Sequence, residues 1–210
     1  MRNKSAEKYQ RILDAAVKVF AQKGFFQSKV SEIAKEAGVA DGTIYLYFKN
    51  KDDLLISIFE IKMQEVIAHF RAALNQQGDA VAKLKHLIHM HLEEFQANPD
   101  LAAVFQVELR QSSRFMHESE KMELKLYLDL IGEIVEQGQR EHLFRDELPV
   151  GLIKRFIFGT LDEIVSTWVL AGRRYDLRAQ ADLVVDLLLR GVQRDCEVRG
   201  QGNQQQEVVQ

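Results

Sequence analysis

Gly38-Val39-Ala40-Asp41-Gly42-Thr43-Ile44-Tyr45-Leu46-Tyr47-Phe48-Lys49-Asn50-Lys51 is the stretch on which the reading of this chain turns. Gly38 permits the positive φ of a tight turn. Val39 and Ile44 supply apolar contacts for two crossing helices. The segment just before it, Val30-Ser31-Glu32-Ile33-Ala34-Lys35-Glu36-Ala37, adds Ile33 to that small core and Ala34 where the crossing needs a small side chain. The two segments read as a DNA-binding helix-turn-helix, with 41–48 as the recognition helix.

Working outward, the spacing of Ile12, Ala15, Ala16, Val19 and Phe20 predicts a helix over 5–23, closed by Gly24. Ser28 is placed to cap the helix over 30–37. Asn50 is placed to cap a fourth helix reaching 74, with Asp52 and Asp53 favourable to its dipole. Further helices are expected over 80–96, 100–112, 115–140, 150–170 and 177–193. Pro149 sits in the first turn of one and Gly78 and Gly172 mark breaks. The 210 residues contain only two prolines and show no strand-length alternation.

The fold class is therefore all-α, with an N-terminal three-helix helix-turn-helix domain and a C-terminal helical ligand-binding and dimerisation domain. The expected division is 1–51, 52–193 and a polar tail over 194–210 that is expected to be disordered.

The net charge of −3 conceals an asymmetry. Residues 1–51 carry ten Lys/Arg and five Asp/Glu, whereas 52–210 carry eighteen and twenty-six. A basic head on an acidic body suits a polyanionic partner at the head. The single cysteine, Cys196, rules out a disulfide framework within one chain. There is no N-terminal apolar leader pattern and no apolar run of spanning length, so no membrane role and a cytoplasmic location are expected.

At the head, Gly42 lets backbone approach backbone or phosphate. Thr43, Tyr45 and Tyr47 project hydroxyls, Lys49 and Lys51 supply cations, and the amides near Ser28 to Ser31 suit a phosphate. Phe48 reads better as a core aromatic. In the body, the segment 152–170 is apolar nearly all round and needs burial on two sides, one of them a subunit interface. Leu183, Val184, Leu187, Leu188 and Val192 repeat the theme, so a two-fold four-helix interface is expected from 150–170 and 177–193.

Phe95, Leu101, Val104, Phe105, Leu109 and Leu126 are candidates to line an apolar cavity, as are Leu130, Ile131, Ile134, Phe156 and Trp168. Arg110 and Arg114 share a helix face beside them. That pairing suits a ligand with a greasy part and an anionic head, or else ion pairs with Glu108 and Glu118. An enzyme is not expected. No Walker loop, G-x-G-x-x-G, nucleophile elbow or H-E-x-x-H occurs. His86, His89 and His91 fall on one helix without a carboxylate partner in the pattern, and neither a metal nor a cofactor is expected.

Gly-Thr-Ile-Tyr-Leu-Tyr-Phe-Lys-Asn-Lys-Asp-Asp-Leu, from Gly42 to Leu54, resembles the signature of TetR-family transcriptional regulators. The resemblance implies operator binding by a homodimer formed through the last two helices. Carried over by position, it implies phosphate contacts at Ser28, Ser31, Tyr45, Tyr47 and Lys51, and base or groove contacts at Lys29, Gly42, Thr43 and Ile44. Asp41 departs from the Lys or Ser common in that family; an acid there suits a helix cap or a cytosine amine.

A narrower resemblance, to the FadR fatty-acid-degradation repressors of Bacillus and Thermus, rests on Val39 to Lys51, Glu108-Leu109-Arg110-Gln111-Ser112, Phe158-Gly159-Thr160, Thr167-Trp168-Val169 and Tyr175-Asp176-Leu177. It implies a repressor of fatty acid degradation genes that long-chain acyl-CoA releases from DNA. The acyl chain would take the cavity and the phosphates would need cations: Arg110 and Arg114 first, then Lys154, Arg155 and Arg173. A regulator responding to a different apolar molecule, a drug or a signal, and coupling of the opposite sign, with ligand as co-repressor, remain alternatives.

Overall fold

A computed structural model describes residues 4–108 and 122–193. Helix α1 (Lys4–Lys23) buries Ile12, Leu13, Ala16 and Phe20 on the face the spacing predicts. Gly24, at φ +80°, ends it. Helix α2 (Val30–Ala37) packs Ile33, Ala34 and Ala37 against α1 and closes at Gly38, where φ is +65°. The Val39 N–H reaches back to the Ala34 carbonyl at 2.9 Å, so the turn satisfies a carbonyl that the helix end would otherwise orphan.

Two details of the head differ from expectation. The α2 cap is Lys29 rather than Ser28, and the Lys29 N–H donates to Glu32 Oε2 at 3.0 Å. Ser28 is buried, and its Oγ donates instead to the Gly24 carbonyl at 2.7 Å. The recognition helix α3 is one turn long, Asp41–Ile44, not 41–48. Beyond it the chain tightens: the Leu46 and Tyr47 N–H groups bond three residues back, to Thr43 and Ile44. Phe48 is anchored in the core and stacks on Tyr9 at 5.1 Å. Asp53 Oδ2 captures the Lys49 N–H at 2.9 Å, which pulls the chain off the helical path.

Helix α4 (Lys51–Leu74) is capped by Asn50, whose side chain accepts from the Asp53 N–H at 2.8 Å. At 1.5 Å per residue it runs about 36 Å. Leu55, Phe59, Met63, Ile67, Phe70 and Leu74 form its buried stripe. Helix α5 (Ala80–Ala97) follows, capped by Asp79. Helix α6 (Pro99–Ala103) then widens into a π turn over Val104–Glu108. The expected helix over 100–112 is thus α6 plus this turn as far as Glu108; 109–121 lies outside the described residues.

Helices α7 (Met122–Arg140), α8 (Val150–Leu170) and α9 (Ala181–Val192) complete the body. Gly138 lets Phe144 fold back onto α7: a Cβ there would lie 2.1 Å from the Phe144 ring. Head and body share one continuous apolar core running from Ile12 to Val192. Among the described residues, no helix is long and apolar enough to cross a membrane. The polar tail expected over 194–210 also lies outside the described residues.

Candidate nucleic-acid interface and ligand cavity

The outer face of the head collects most of the residues expected at DNA. Lys29, Ser31, Gly42 and Tyr45 are exposed, and Thr43 is half-buried. A Cβ at Gly42 would meet no atom within 4 Å, so no packing inside the chain demands glycine there. Ile44 is buried and holds α3 to the core. Tyr47 turns toward α1, with its hydroxyl 3.1 Å from Ser5 Oγ and its ring edge-on to Tyr9.

Two expected phosphate contacts have internal partners. Ser28 is only 4% exposed and its hydroxyl proton is used within the α1–α2 turn. Lys51 Nζ donates to the carbonyls of Phe25 (2.5 Å), Ser28 (3.1 Å) and Phe26 (3.3 Å), and lies 4.4 Å from the centroid of the Phe25 ring. An ammonium has three protons, and three carbonyls meet them. Lys51 therefore latches the α1–α2 turn to the start of α4.

The same turn is held from the body. Glu108, the last residue of the π turn, accepts from the Phe25 N–H through Oε2 at 2.6 Å. Two and three residues back along that turn, Gln106 and Phe105 line a largely apolar cavity of about 180 Å³. Its other walls are Phe59, Met63 and Phe70 of α4, His91 and Phe95 of α5, Tyr127 of α7 and Phe158 of α8. Through Val66, Glu94 and Leu101 it adjoins an open groove of about 520 Å³ between α1, α4 and the α5–α6 corner.

Of the candidates, Phe95, Leu101 and Phe105 stand in the cavity wall. Leu130, Ile134 and Trp168 are buried in the body's core but do not line the cavity. The Trp168 indole N–H donates to the Tyr175 carbonyl at 2.8 Å, which turns that ring toward the α8–α9 connection. Phe156 is 57% exposed, on the outer face of α8. Leu152 and Leu170 of α8, and Leu183 and Leu187 of α9, are exposed as well, so both helices carry apolar side chains that the monomer leaves open. Leu109, Arg110 and Arg114 lie outside the described residues. The further cations are engaged elsewhere: Lys154 with Asp129 at 2.9 Å, Arg173 with Asp100 at 3.2 Å, and Arg155 with the Gly151 carbonyl at 3.0 Å. The open groove carries Asp14, Glu65, Glu94 and Asp100 beside Lys62 and His69, and Lys62 is paired with Glu65 at 3.0 Å, so the balance of charge there opposes phosphate.

Two polar pairs interrupt the apolar cavity wall. Gln106 Nε2 donates to Asp162 Oδ1 at 2.9 Å. His91 Nδ1 and the Tyr127 hydroxyl are 2.6 Å apart. Burial pushes the His91 imidazolium down to about 4, against a weaker opposing pull from Asp162, and burial also raises the Tyr127 phenol. Both groups are therefore neutral near pH 7. The three helix-borne histidines do not converge: His86 is half-buried, and His89 turns to Asp182 at 3.0 Å. Among the described residues no group of three His, Cys, Asp or Glu side chains is arranged to hold a metal.

Sequence reasoning missed the Lys51 latch, the Glu108 tie and the His91–Tyr127 pair. Only the last left a trace: His91 falls on the apolar stripe of Leu84, Leu87, Ile88 and Leu92.

A short recognition helix on a basic head, tied to a cavity in a helical body, defines the class of ligand-responsive helix-turn-helix proteins. Residues 12–58 match the family model of bacterial regulatory proteins, tetR family, and 59–191 match that of the YsiA-like protein C-terminal region. The chain belongs to the tetR family of bacterial regulatory proteins, with a YsiA-like body. It is 44% identical over 185 residues to the fatty acid metabolism regulator protein of Bacillus subtilis, covering 88% of this chain and 95% of that one. Its fold matches the crystal structure of the transcriptional regulator FadR from Bacillus subtilis in complex with stearoyl-CoA. The TM-score is 0.81 at 43% identity, over 87% of this chain and 98% of that chain. FadR from Bacillus halodurans, described as a fatty acid degradation regulator, matches with TM-score 0.81 at 46% identity over the same shares.

Proposed function

We propose that the protein is a homodimeric transcriptional repressor that leaves its operator DNA when long-chain acyl-CoA enters the body cavity, and so controls fatty acid degradation genes. The observation that carries this reading is the double use of the π turn Val104–Glu108: Phe105 and Gln106 line the cavity while Glu108 holds the head's Phe25 N–H. The relative solved with stearoyl-CoA supplies the ligand class.

Residues 1–51 read DNA and 52–193 sense and pair. Lys29, Ser31, Gly42, Thr43 and Tyr45 face the duplex, and Tyr47 supports them from the α1 side. The acyl chain takes the cavity. At about 180 Å³ the cavity is smaller than the roughly 300–1,000 Å³ of ordinary ligand sites, so a long chain must push its walls apart. Those walls include α4, which carries the head, and the π turn. The CoA phosphates are matched by Arg110 and Arg114, which lie in the sequence between two residues of the cavity wall, Gln106 and Leu124.

A dimer built through the open face of Phe156, Leu152 and Leu187 sets the separation of the two recognition helices. Successive major grooves require about 34–36 Å. A ligand that fits only another separation weakens DNA binding by linkage. The protein acts by binding alone, without catalysis, and does so in the cytoplasm.

Thermal melting and operator binding with stearoyl-CoA and with CoA alone test this. The expected result is a raised melting temperature and a weakened operator complex with stearoyl-CoA only. Equal effects from CoA alone, no effect from either, or a tighter operator complex with stearoyl-CoA overturns it.

A further inference from the structure

The cavity wall holds an unspent hydrogen-bonding atom. His91 is 6% exposed and lines the cavity, yet its Nε2 has no partner among the described residues. Leaving a buried polar atom unsatisfied is costly, and such atoms in a ligand cavity invite a ligand partner. The chemistry of Nε2 follows from its neighbour. The neutral imidazole has one N–H and one lone pair. If the Tyr127 hydroxyl donates to Nδ1, across their 2.6 Å separation, Nε2 carries the proton. The converse tautomer would leave the phenol proton without an acceptor as well, a second buried loss. Nε2 is therefore an N–H donor.

The rest of the cavity wall makes that donor selective. Phe59, Phe70, Phe95 and Phe158 line the same cavity with rings that accept no ordinary hydrogen bond, Phe95 edge-on to the imidazole at 5.0 Å; the carboxylates on this wall, Asp162 and Glu94, do not reach Nε2, and Asp162 instead holds the Gln106 amide at 2.9 Å. Nε2 itself is fully buried, so it meets a ligand only where the walls part, and a plain hydrocarbon there gives Nε2–H nothing. An oxygen on the ligand at that point satisfies it.

We propose that His91 is a specificity-determining residue whose Nε2–H recognises an acceptor oxygen carried by the acyl ligand inside the cavity. Tyr127 is the positioning residue that fixes its tautomer. The inference rests on the acyl-CoA reading above. The oxygen is either the thioester carbonyl or a substituent along the chain, and the two are separable with defined ligands.

The test compares dissociation constants for stearoyl-CoA, S-octadecyl-CoA (the thioether, with CH₂ in place of the carbonyl), and 3-hydroxy- and 12-hydroxystearoyl-CoA. The proteins are wild type, His91→Phe and His91→Gln. One hydrogen bond gained against one left unmade predicts roughly five- to tenfold discrimination. Wild type preferring thioester over thioether by that factor, with the preference lost in His91→Phe and recovered in part by the donor-bearing His91→Gln, supports the carbonyl source. Preference confined to a hydroxylated chain, with the same loss and recovery, supports the chain source. Equal affinity across every pair, or a preference that His91→Phe leaves intact, overturns the proposal while acyl-CoA sensing stands. Failure of all four ligands to bind wild type overturns both. Should His91→Phe not fold, the Nε2 resonance of nitrogen-15-labelled histidine in wild type reads the same contact. It moves with stearoyl-CoA and not with its thioether under the carbonyl source, and with a hydroxylated acyl-CoA beyond stearoyl-CoA under the chain source. Absence of both responses overturns the proposal.

Discussion

The Glu108 carboxylate accepts the Phe25 backbone N–H at 2.6 Å, across 83 positions of sequence and from body to head. Glu108 ends the turn that supplies Phe105 and Gln106 to the cavity, so one element borders the cavity and holds the α1–α2 turn. Coupling between sites is a free energy of about 1–3 kcal/mol, five- to 150-fold in affinity. Glu108→Ala removes the tie without touching the cavity lining. It is expected to bind stearoyl-CoA within about threefold of wild type and to lose most of the ligand's effect on operator affinity, while Glu108→Gln, which still accepts through its amide oxygen, retains part. Fluorescence anisotropy of labelled operator with and without ligand reads this. Full coupling in the alanine variant would remove Glu108 from the mechanism.

Lys51 separates a structural from a DNA-contacting role. A phosphate contact removed from a DNA-binding protein lowers the slope of log affinity against log salt by about 1. Lys51 Nζ is taken up by the carbonyls of Phe25, Phe26 and Ser28, which belong to the turn ahead of α2. Lys51→Met is expected to lower the melting temperature and to weaken operator binding about tenfold with an unchanged salt slope. Lys29→Met, at an exposed cation of the same head, is expected to lower the slope without a change in melting temperature. A lowered slope in Lys51→Met would restore the phosphate assignment.

These two residues mark where sequence reading stops. Helix ends at Gly24, Gly38 and Asn50 were legible because each is a local event: a positive φ or a side-chain cap within three residues. The amphipathic stripe of α1 was legible for the same reason. The shortening of α3 was not, because Phe48 and Asp53 impose it through the core and the next helix. Lys51 bonds 23 to 26 residues away and Glu108 reaches 83, and no local pattern signals either. In the cavity, Phe95 and Phe105 were legible as apolar helix residues. Nothing in the spacing distinguished them from Leu130, Ile134 or Trp168, which take plain core positions, or from Phe156, which faces outward. A helix as rich in apolar residues as α8 has one face in the core and one left open, and which residue serves which depends on how the helix is rotated against its neighbours.

That outer face yields a prediction of assembly. Phe156 is 57% and Leu152 59% exposed one turn apart on α8, and Leu187 of α9 is 71% exposed, apolar surface unsuited to water. Phe156→Glu places a charge in the middle of it, where two-fold symmetry would set it near its own copy. Sedimentation is expected to show a monomer with helical content preserved by circular dichroism, and operator affinity is expected to fall at least a hundredfold. A dimer of unchanged affinity would show that the chains pair through another surface.

His91 gives the fold a defined acid sensitivity. Its folded-state pKa lies at about 4 because burial disfavours the charged ring, whereas the ordinary value is 6.5. Between these values the unfolded chain binds a proton that the folded chain refuses, so stability rises with pH through that window and is lost as pH falls from 6.5 toward 4. At pH 5 the loss relative to pH 7 amounts to about 2 kcal/mol per chain, at 1.36 kcal/mol per unit. The carboxylates held low by hydrogen-bonded cations or amides, Glu32, Asp129 and Glu141, contribute stability that is complete above their ordinary values of 3.8 to 4.5, so their loss begins only at the acid end of this window. Urea unfolding at pH 7 and pH 5 is expected to give a difference about 2 kcal/mol larger for wild type than for His91→Gln, whose amide does not titrate. Equal pH dependence in the two proteins would mean that the imidazole is protonated, or reached by water, in the folded chain.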